Sequence, residues 1–156
     1  MTERAEAIHF ERQPRFRRLR DYLATKAPPG KLPGRRQVDP LDIPDLLPYV
    51  MLVDVLRSPG QSPRYRVRLV GTEVVKIQGA DGTGKFVEQI LTEGPDIIAG
   101  YAEILSTKRP QYRRGEVATV GRDHVFYERI AFPLASDGDT VDMLMFIFST
   151  DPATTR

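Results

Sequence analysis

The chain has 156 residues, 28% of them charged and 40% hydrophobic, the balance of an ordinary globular domain long enough to bury a full core. It contains no cysteine, which excludes disulfides, thiolate catalysis and cysteine-bound metals in one step. A net charge of +2 says little about partners, and no apolar run approaches the roughly 20 residues of a membrane-spanning helix.

The first predicted element is a helix over 8–27. Pro14 suits a first turn, and Phe16, Leu19 and Leu23 share one side at helical spacing. The other side carries Arg12, Arg15, Arg17, Arg18 and Arg20, five arginines within nine residues. Such a cluster can grip phosphate backbones. No interleaved aromatic residue or base-reading motif accompanies it, so a solvated face of a docking helix is the plainer account and nucleic acid is not the expected partner. Pro28, Pro29 and Gly30 end the helix. The prolines of 39–48 permit only short helical turns, with Asp39 or Asp42 as caps and Pro40 or Pro44 just inside. Capping alone explains these aspartates, and no metal site is expected.

Strands are predicted over 50–56 and 64–70. The second alternates, with Tyr65, Val67 and Leu69 against Arg64, Arg66 and Arg68. Gly71-Thr72 breaks it, Thr72 is the expected cap of a short helix to Gln78, and Gly79 closes that helix. A turn over 81–84 and a helical piece over 86–91 precede the best internal helix, 95–109, whose buried stripe is Ile97, Ile98, Tyr101, Ile104 and Leu105. Pro110 stops it. A strand over 111–119 and a turn over 121–123 lead to the last hairpin, 127–148. There Asp137-Gly138 reads as a type I′ turn, which pairs Leu134 with Val141, Phe132 with Met143 and Ile130 with Met145 on one face. The returning strand is apolar on its other face as well, through Leu144, Phe146 and Phe148, so it belongs in mid-sheet. Two strands, a run of helices and three strands make an α+β fold, an antiparallel sheet with the helices on one face. The other face needs a cover, which the N-terminal helix or a partner subunit can supply.

Chemical motifs are sparse. Gly79 to Lys85 matches the spacing of a phosphate-cradling loop, but Phe86 stands where a magnesium-binding hydroxyl is needed, and no buried parallel strand or long helix flanks it. The two histidines, His9 and His124, lie far apart, and no nucleophile motif supports a hydrolase. No catalytic residue and no metal ligand is assigned. Arg68, Arg129, Glu128 and Asp142 invite a structural ion-pair cluster, since buried charges must be paired. The functional alternative is an arginine aimed at an acidic ligand.

Arg68-Leu69-Val70-Gly71-Thr72, read with this element order, resembles the stand-alone bacterial PAS-domain family. Asp39-Pro40-Leu41-Asp42-Ile43-Pro44, Leu46-Leu47-Pro48, Gly79 to Gly84, Tyr112-Arg113-Arg114-Gly115, Tyr127-Glu128-Arg129 and Val141-Asp142-Met143 agree in order. The resemblance covers about 32–148. It divides the chain into an N-terminal helical extension and connector (1–31), a PAS-like domain (32–150) and a disordered tail (151–156). It implies a five-stranded antiparallel sheet of order 2-1-5-4-3, with helices on one face and an extra N-terminal helix. It also implies a non-catalytic sensory or protein-interaction role, signalling in trans as a cytoplasmic homodimer to a separate signalling protein. No cysteine is present for a flavin or cinnamoyl adduct, and the long helix has no histidine for haem, so no cofactor is predicted. A pocket for a small apolar molecule between sheet and helices is expected, lined by Ile98, Tyr101, Ile104, Phe132, Met143 and Met145, with Arg68 and Arg129 as polar anchors. A nucleic-acid-associated regulator using the arginine-rich helix is the alternative reading, and a small enzyme, with no supporting motif, stands third.

Overall fold

The computed structural model describes residues 13–90, 94–117 and 125–150. The outer part of the predicted first helix, the 118–119 end of the predicted third strand, the 121–123 turn, both histidines and the 151–156 tail lie outside these residues.

Helix α1 (Pro14–Lys26) has proline in its first turn and buries Phe16, Leu19 and Leu23. Short 3-10 turns follow at Arg35–Gln37, Pro40–Asp42 and Leu47–Tyr49. The Asp39 carboxylate accepts the Leu41 amide and so caps the second of them. Asp42 and Asp45 do other work, facing α1 through Tyr22, Lys26 and Arg18. Strands β1 (Val50–Leu56) and β2 (Arg64–Val70) pair antiparallel. Helices α2 (Thr72–Gln78), α3 (Val87–Ile90) and α4 (Gly94–Thr107) come next, then β3 (Gln111–Val117), β4 (Val125–Leu134) and β5 (Met143–Ser149).

The five strands form one sheet of order β2-β1-β5-β4-β3, with β5 in the middle and all seven of its residues buried. Its side chains divide by the period of two. Leu144, Phe146 and Phe148 face the layer of α2, α3 and α4, whereas Met143, Met145 and Ile147 face α1. The apolar return strand therefore needs two covers, and α1 is the second one. Phe16 and Leu19 are completely buried against Val50, Leu52, Ile130 and Phe132 on that outer face. Each such side chain contributes about 1.5–3 kcal/mol of transfer free energy.

Four sequence expectations change in detail. The hairpin register is Leu134 with Met143, Phe132 with Met145 and Ile130 with Ile147, two residues from the expected one. The turn is not type I′, because only Gly138 (φ 85) has positive φ there and Asp137 does not. Instead the Asp137 carboxylate accepts the amides of Asp139 and Thr140 and props open a wider loop. A slip of two preserves each face, so five of the six expected neighbours still share one, and only Val141 joins the other. In β2 a register shift opposite Leu52 and Val53 turns Leu69 outward, 44% exposed, where plain alternation buries it. The cap of α2 is Gly71 and not Thr72.

The glycine-rich turn after α2 is occupied by its own bonds. Asp81 accepts the Thr83 amide and hydroxyl, Gly84 donates to Val67 O, and Val67 donates to Lys85 O, so this turn lines the free edge of β2.

Candidate functional site

The six residues expected to line one pocket are not brought together. Tyr101 and Ile104 are buried, and Ile98 packs beside them, in the layer of α2 to α4. Phe132, Met143 and Met145 lie on the opposite side of the sheet, packed beneath α1. Strand alternation causes this split. The even-numbered side chains Ile130, Phe132 and Leu134 of β4 face α1, and the odd-numbered Tyr127, Arg129 and Ala131 face the helical layer.

Among the described residues a small, partly open cavity lies on the helical side. It has a volume of about 40 Å³, room for a few water-sized groups, and is lined by Met51, Ile77 and Gln78, by Ile97 and Tyr101 of α4, and by Arg113, Tyr127, Arg129, Phe146 and Phe148 of the sheet. Only Tyr101 and Arg129 of the expected site reach it. The predicted anchor Arg68 is elsewhere, 59% exposed and 3.3 Å from the Asp54 carboxylate, because alternation along β2 sets it with Arg66 on the row opposite the buried Tyr65 and Val67.

Nor do the four charges of the expected ion-pair cluster meet. Glu128 accepts hydrogen bonds from Gln13 Nε2 (2.8 Å) and the Tyr112 hydroxyl, and Asp142 accepts from Ser136. Arg129 is 4% exposed and donates from Nη1 to the Gln111 carbonyl and from Nη2 to Gln111 Oε1, both at 3.1 Å. Gln111 Nε2 in turn donates to Gly100 O at 3.2 Å, which ties this corner of the sheet to α4. The guanidinium also lies 5.2 Å from the centre of the Phe146 ring, within cation–π range. All these partners are neutral, and among the described residues no carboxylate pairs with Arg129. Arg113 stands directly across from it on β3. Burial lowers the Arg129 pKa from its ordinary value; the Tyr101 and Tyr127 hydroxyls offset this in part, and the Arg113 charge adds to it.

Aromatic rings form the wall. Tyr65 meets Tyr101 edge to face at 5.1 Å, Tyr101 meets Phe146 at 5.4 Å, and Phe148 lies 6.3 Å from Phe146 and 5.8 Å from Tyr127. Burial pushes the Tyr101 phenol up to about 12, so it stays protonated at neutral pH and keeps its O–H as a donor. Gly115, opposite Tyr127, leaves room for that ring, since a β-carbon there would come within 2.9 Å of the Tyr127 hydroxyl oxygen.

Sequence reasoning missed Arg113, Tyr127 and the aromatic wall of Phe146 and Phe148. The alternation Tyr127-Arg129-Ala131 against Ile130-Phe132-Leu134 carried the signal, had the mixed row been assigned to the helical layer. Among the described residues no cluster of acidic or histidine side chains is placed to hold a metal ion.

The arginines of α1 are engaged within the molecule. Arg15 lies 3.4 Å from the centre of the Tyr49 ring and donates to Phe148 O, Arg18 forms a two-pronged pair with Asp45 at 2.6 Å, and Arg20 pairs with Asp21. The face read as solvated, with phosphate binding as the alternative, makes contacts within the molecule through Arg15, Arg18 and Arg20.

A five-stranded antiparallel sheet of order 2-1-5-4-3, with helices over a small cavity on its inner face, is the architecture of a PAS-like domain. A family model for the PAS domain matches residues 12–148, and the chain belongs to that family. Among solved structures it is similar to the Rhodobacter sphaeroides LOV protein (15% identity, TM-score 0.44, covering 72% of this chain and 68% of that one). The PAS domain of Bordetella pertussis BvgS gives 13% identity and a TM-score of 0.47, covering 69% of this chain and 79% of that one. An RNA-binding light-oxygen-voltage receptor gives 11% identity and a TM-score of 0.49 over 77% of this chain and only 36% of that receptor. No curated protein is significantly similar to the chain.

Proposed function

We propose that this chain is a non-catalytic sensory module that holds a small molecule between α4 and the sheet and signals in trans, as a cytoplasmic homodimer, to a separate protein. The observation that carries the reading is a mainly apolar cavity with a buried arginine in its wall, at the position where the sheet and α4 are bound together, walled by Tyr101, Arg129 and Phe146. The wiring beside it gives a route outward. Arg129 faces the cavity while its chain neighbour Glu128 accepts a bond from Gln13, the residue that opens α1. Phe148 lines the cavity with its ring while its carbonyl accepts a bond from Arg15, and Ser149 donates to Gln13 Oε1. A ligand that shifts β4 or β5 therefore moves the points where α1 is anchored, and α1 forms the surface next to any partner on that side. Among the described residues no helix is long and apolar enough to cross a membrane.

Native mass spectrometry of freshly purified protein, against the same sample denatured, tests this. A non-covalent mass lost on denaturation, on a dimeric species, is the expected result. A bare monomeric mass under gentle conditions counts against both the ligand and the homodimer.

A further inference from the structure

We propose that the ligand of this cavity is a small carboxylate, formate- to propionate-sized, whose oxygens take the free donors of Arg129 beside the second positive charge of Arg113. This rests on the ligand-sensor reading above and specifies its chemistry. The sequence pattern alone favours an apolar ligand, but the structure places the apolar residues of that pattern on the other face of the sheet.

Three observations meet here. The first is charge. Arginine does not shed its proton in proteins, so a 4% exposed Arg129 brings a full positive charge into the core. Buried charges are tolerated when paired, yet its hydrogen-bond partners are the two oxygens of Gln111 and its stacking partner is Phe146. A structural role would be served by a carboxylate from the chain, and the nearest in sequence, Glu128, points to the opposite face. The second is geometry. A guanidinium has five N–H donors, and the two bonds to Gln111 use two of them, one on each terminal nitrogen. Its planar fork matches a carboxylate in two-pronged fashion. Gln111, itself held by Gly100 O, fixes the orientation of that fork. The third is size and lining. A volume of about 40 Å³ with aromatic walls admits a group of a few heavy atoms with a short apolar tail, and excludes a nucleotide or a flavin. A methyl or ethyl tail would lie against Phe146, Phe148 and Ile97.

The test compares acetate with acetamide, which has nearly the same shape and no charge, by calorimetric titration and thermal unfolding at constant ionic strength. Sodium formate and sodium propionate bracket the size. The wild-type chain is expected to bind acetate saturably and to gain about 5 °C in Tm near saturation, with no response to acetamide. Arg129→Met is expected to lose binding at least tenfold, while the exposed Arg114→Met keeps it. Because the acetate–acetamide comparison uses the wild-type chain, a poorly folding Arg129→Met leaves the test intact. Equal responses to acetate and acetamide, or an acetate response that persists undiminished in folded Arg129→Met, overturn the proposal. No response to any of the three carboxylates, with a neutral adduct in the native mass spectrum, overturns the carboxylate and leaves the sensor reading standing. No response and a bare mass overturn both.

Discussion

Gly71 stands where the chain turns from β2 into α2, and its amide donates to Val50 O at 2.7 Å. A β-carbon there would lie 2.4 Å from both the Leu47 and Pro48 carbonyl oxygens, which are backbone and cannot rotate away. Gly71→Ala is therefore expected to destabilise the fold by about 3 kcal/mol or more, read as a lower urea midpoint. An unchanged midpoint would mean that the 47–48 turn yields freely. The Arg-Leu-Val-Gly-Thr stretch was legible as a break between strand and helix, but the reason for its glycine was not, because the crowding comes from a turn more than twenty residues earlier. The two candidate arginines show the same limit. Arg68 and Arg129 look alike in sequence, but alternation along β2 sets the first with Arg66 on an exposed row, while alternation along β4 turns the second into the helical layer and buries it. Arg68→Ala is expected to cost no more than about 1 kcal/mol in the same assay, as an exposed pair that leaves Asp54 with Arg66 at 4.0 Å.

Helix α1 is the element in which apolar and charged residues compete most openly for credit. Its arginines make several contacts, yet the Arg18–Asp45 pair is about half exposed on each side, where solvent screening leaves an ion pair little net worth. Leu19 has no exposure at all, and Leu19→Ala is expected to cost about 2–5 kcal/mol. Denaturation of Arg18→Ala and Leu19→Ala side by side checks the ordering, and a larger loss for Arg18→Ala would show that electrostatics hold the helix. The stripe of Phe16, Leu19 and Leu23 was readable from spacing, as were β1 and β2 to their ends, since these are local patterns of period 3.6 and 2. The pairing of β4 with β5 was readable in face but not in register. Loop width depends on how Asp137 bonds to Asp139 and Thr140, and the Asp-Gly pair fits more than one such arrangement. The cavity suffered most, because its expected lining combined residues from both faces. The helical stripe of α4 was right in kind, but the sheet side was taken from the uniformly apolar row when the mixed row, Tyr127 and Arg129, faces α4.

Across the whole molecule the perturbed carboxyls and phenols form two sets that bracket a stability plateau. Hydrogen bonds lower the carboxyl pKa values of Asp45, Asp81 and Asp137, from the Arg18 side chain, from Thr83 and from the Thr140 and Asp139 amides respectively; Glu88 is lowered by a backbone hydrogen bond and by Arg64. A lowered folded value means that the unfolded chain takes up the proton first as pH falls. Their contribution is complete above the ordinary carboxylate range near pH 4 and is lost as pH drops through the lowered values. On the alkaline side burial raises Tyr65 and Tyr22 and pushes Tyr101 up to about 12. There the unfolded chain releases the proton first, so the contribution is complete below the ordinary tyrosine value near 10 and is lost as pH rises towards about 12. For the fully buried Tyr101 the loss at full ionisation is on the order of 2–3 kcal/mol. Urea midpoints are accordingly expected to stay level from about pH 5 to about pH 9 and to fall on both sides. Tyr101→Phe separates the cavity from the rest of the molecule, because it removes the ionisable group and keeps the ring that packs on Tyr65 and Phe146. Its alkaline decline should be shallower than that of the wild type while its acid decline is unchanged. Superimposable alkaline limbs would mean that the Tyr101 hydroxyl reaches solvent, and with it the wall of the cavity would be open.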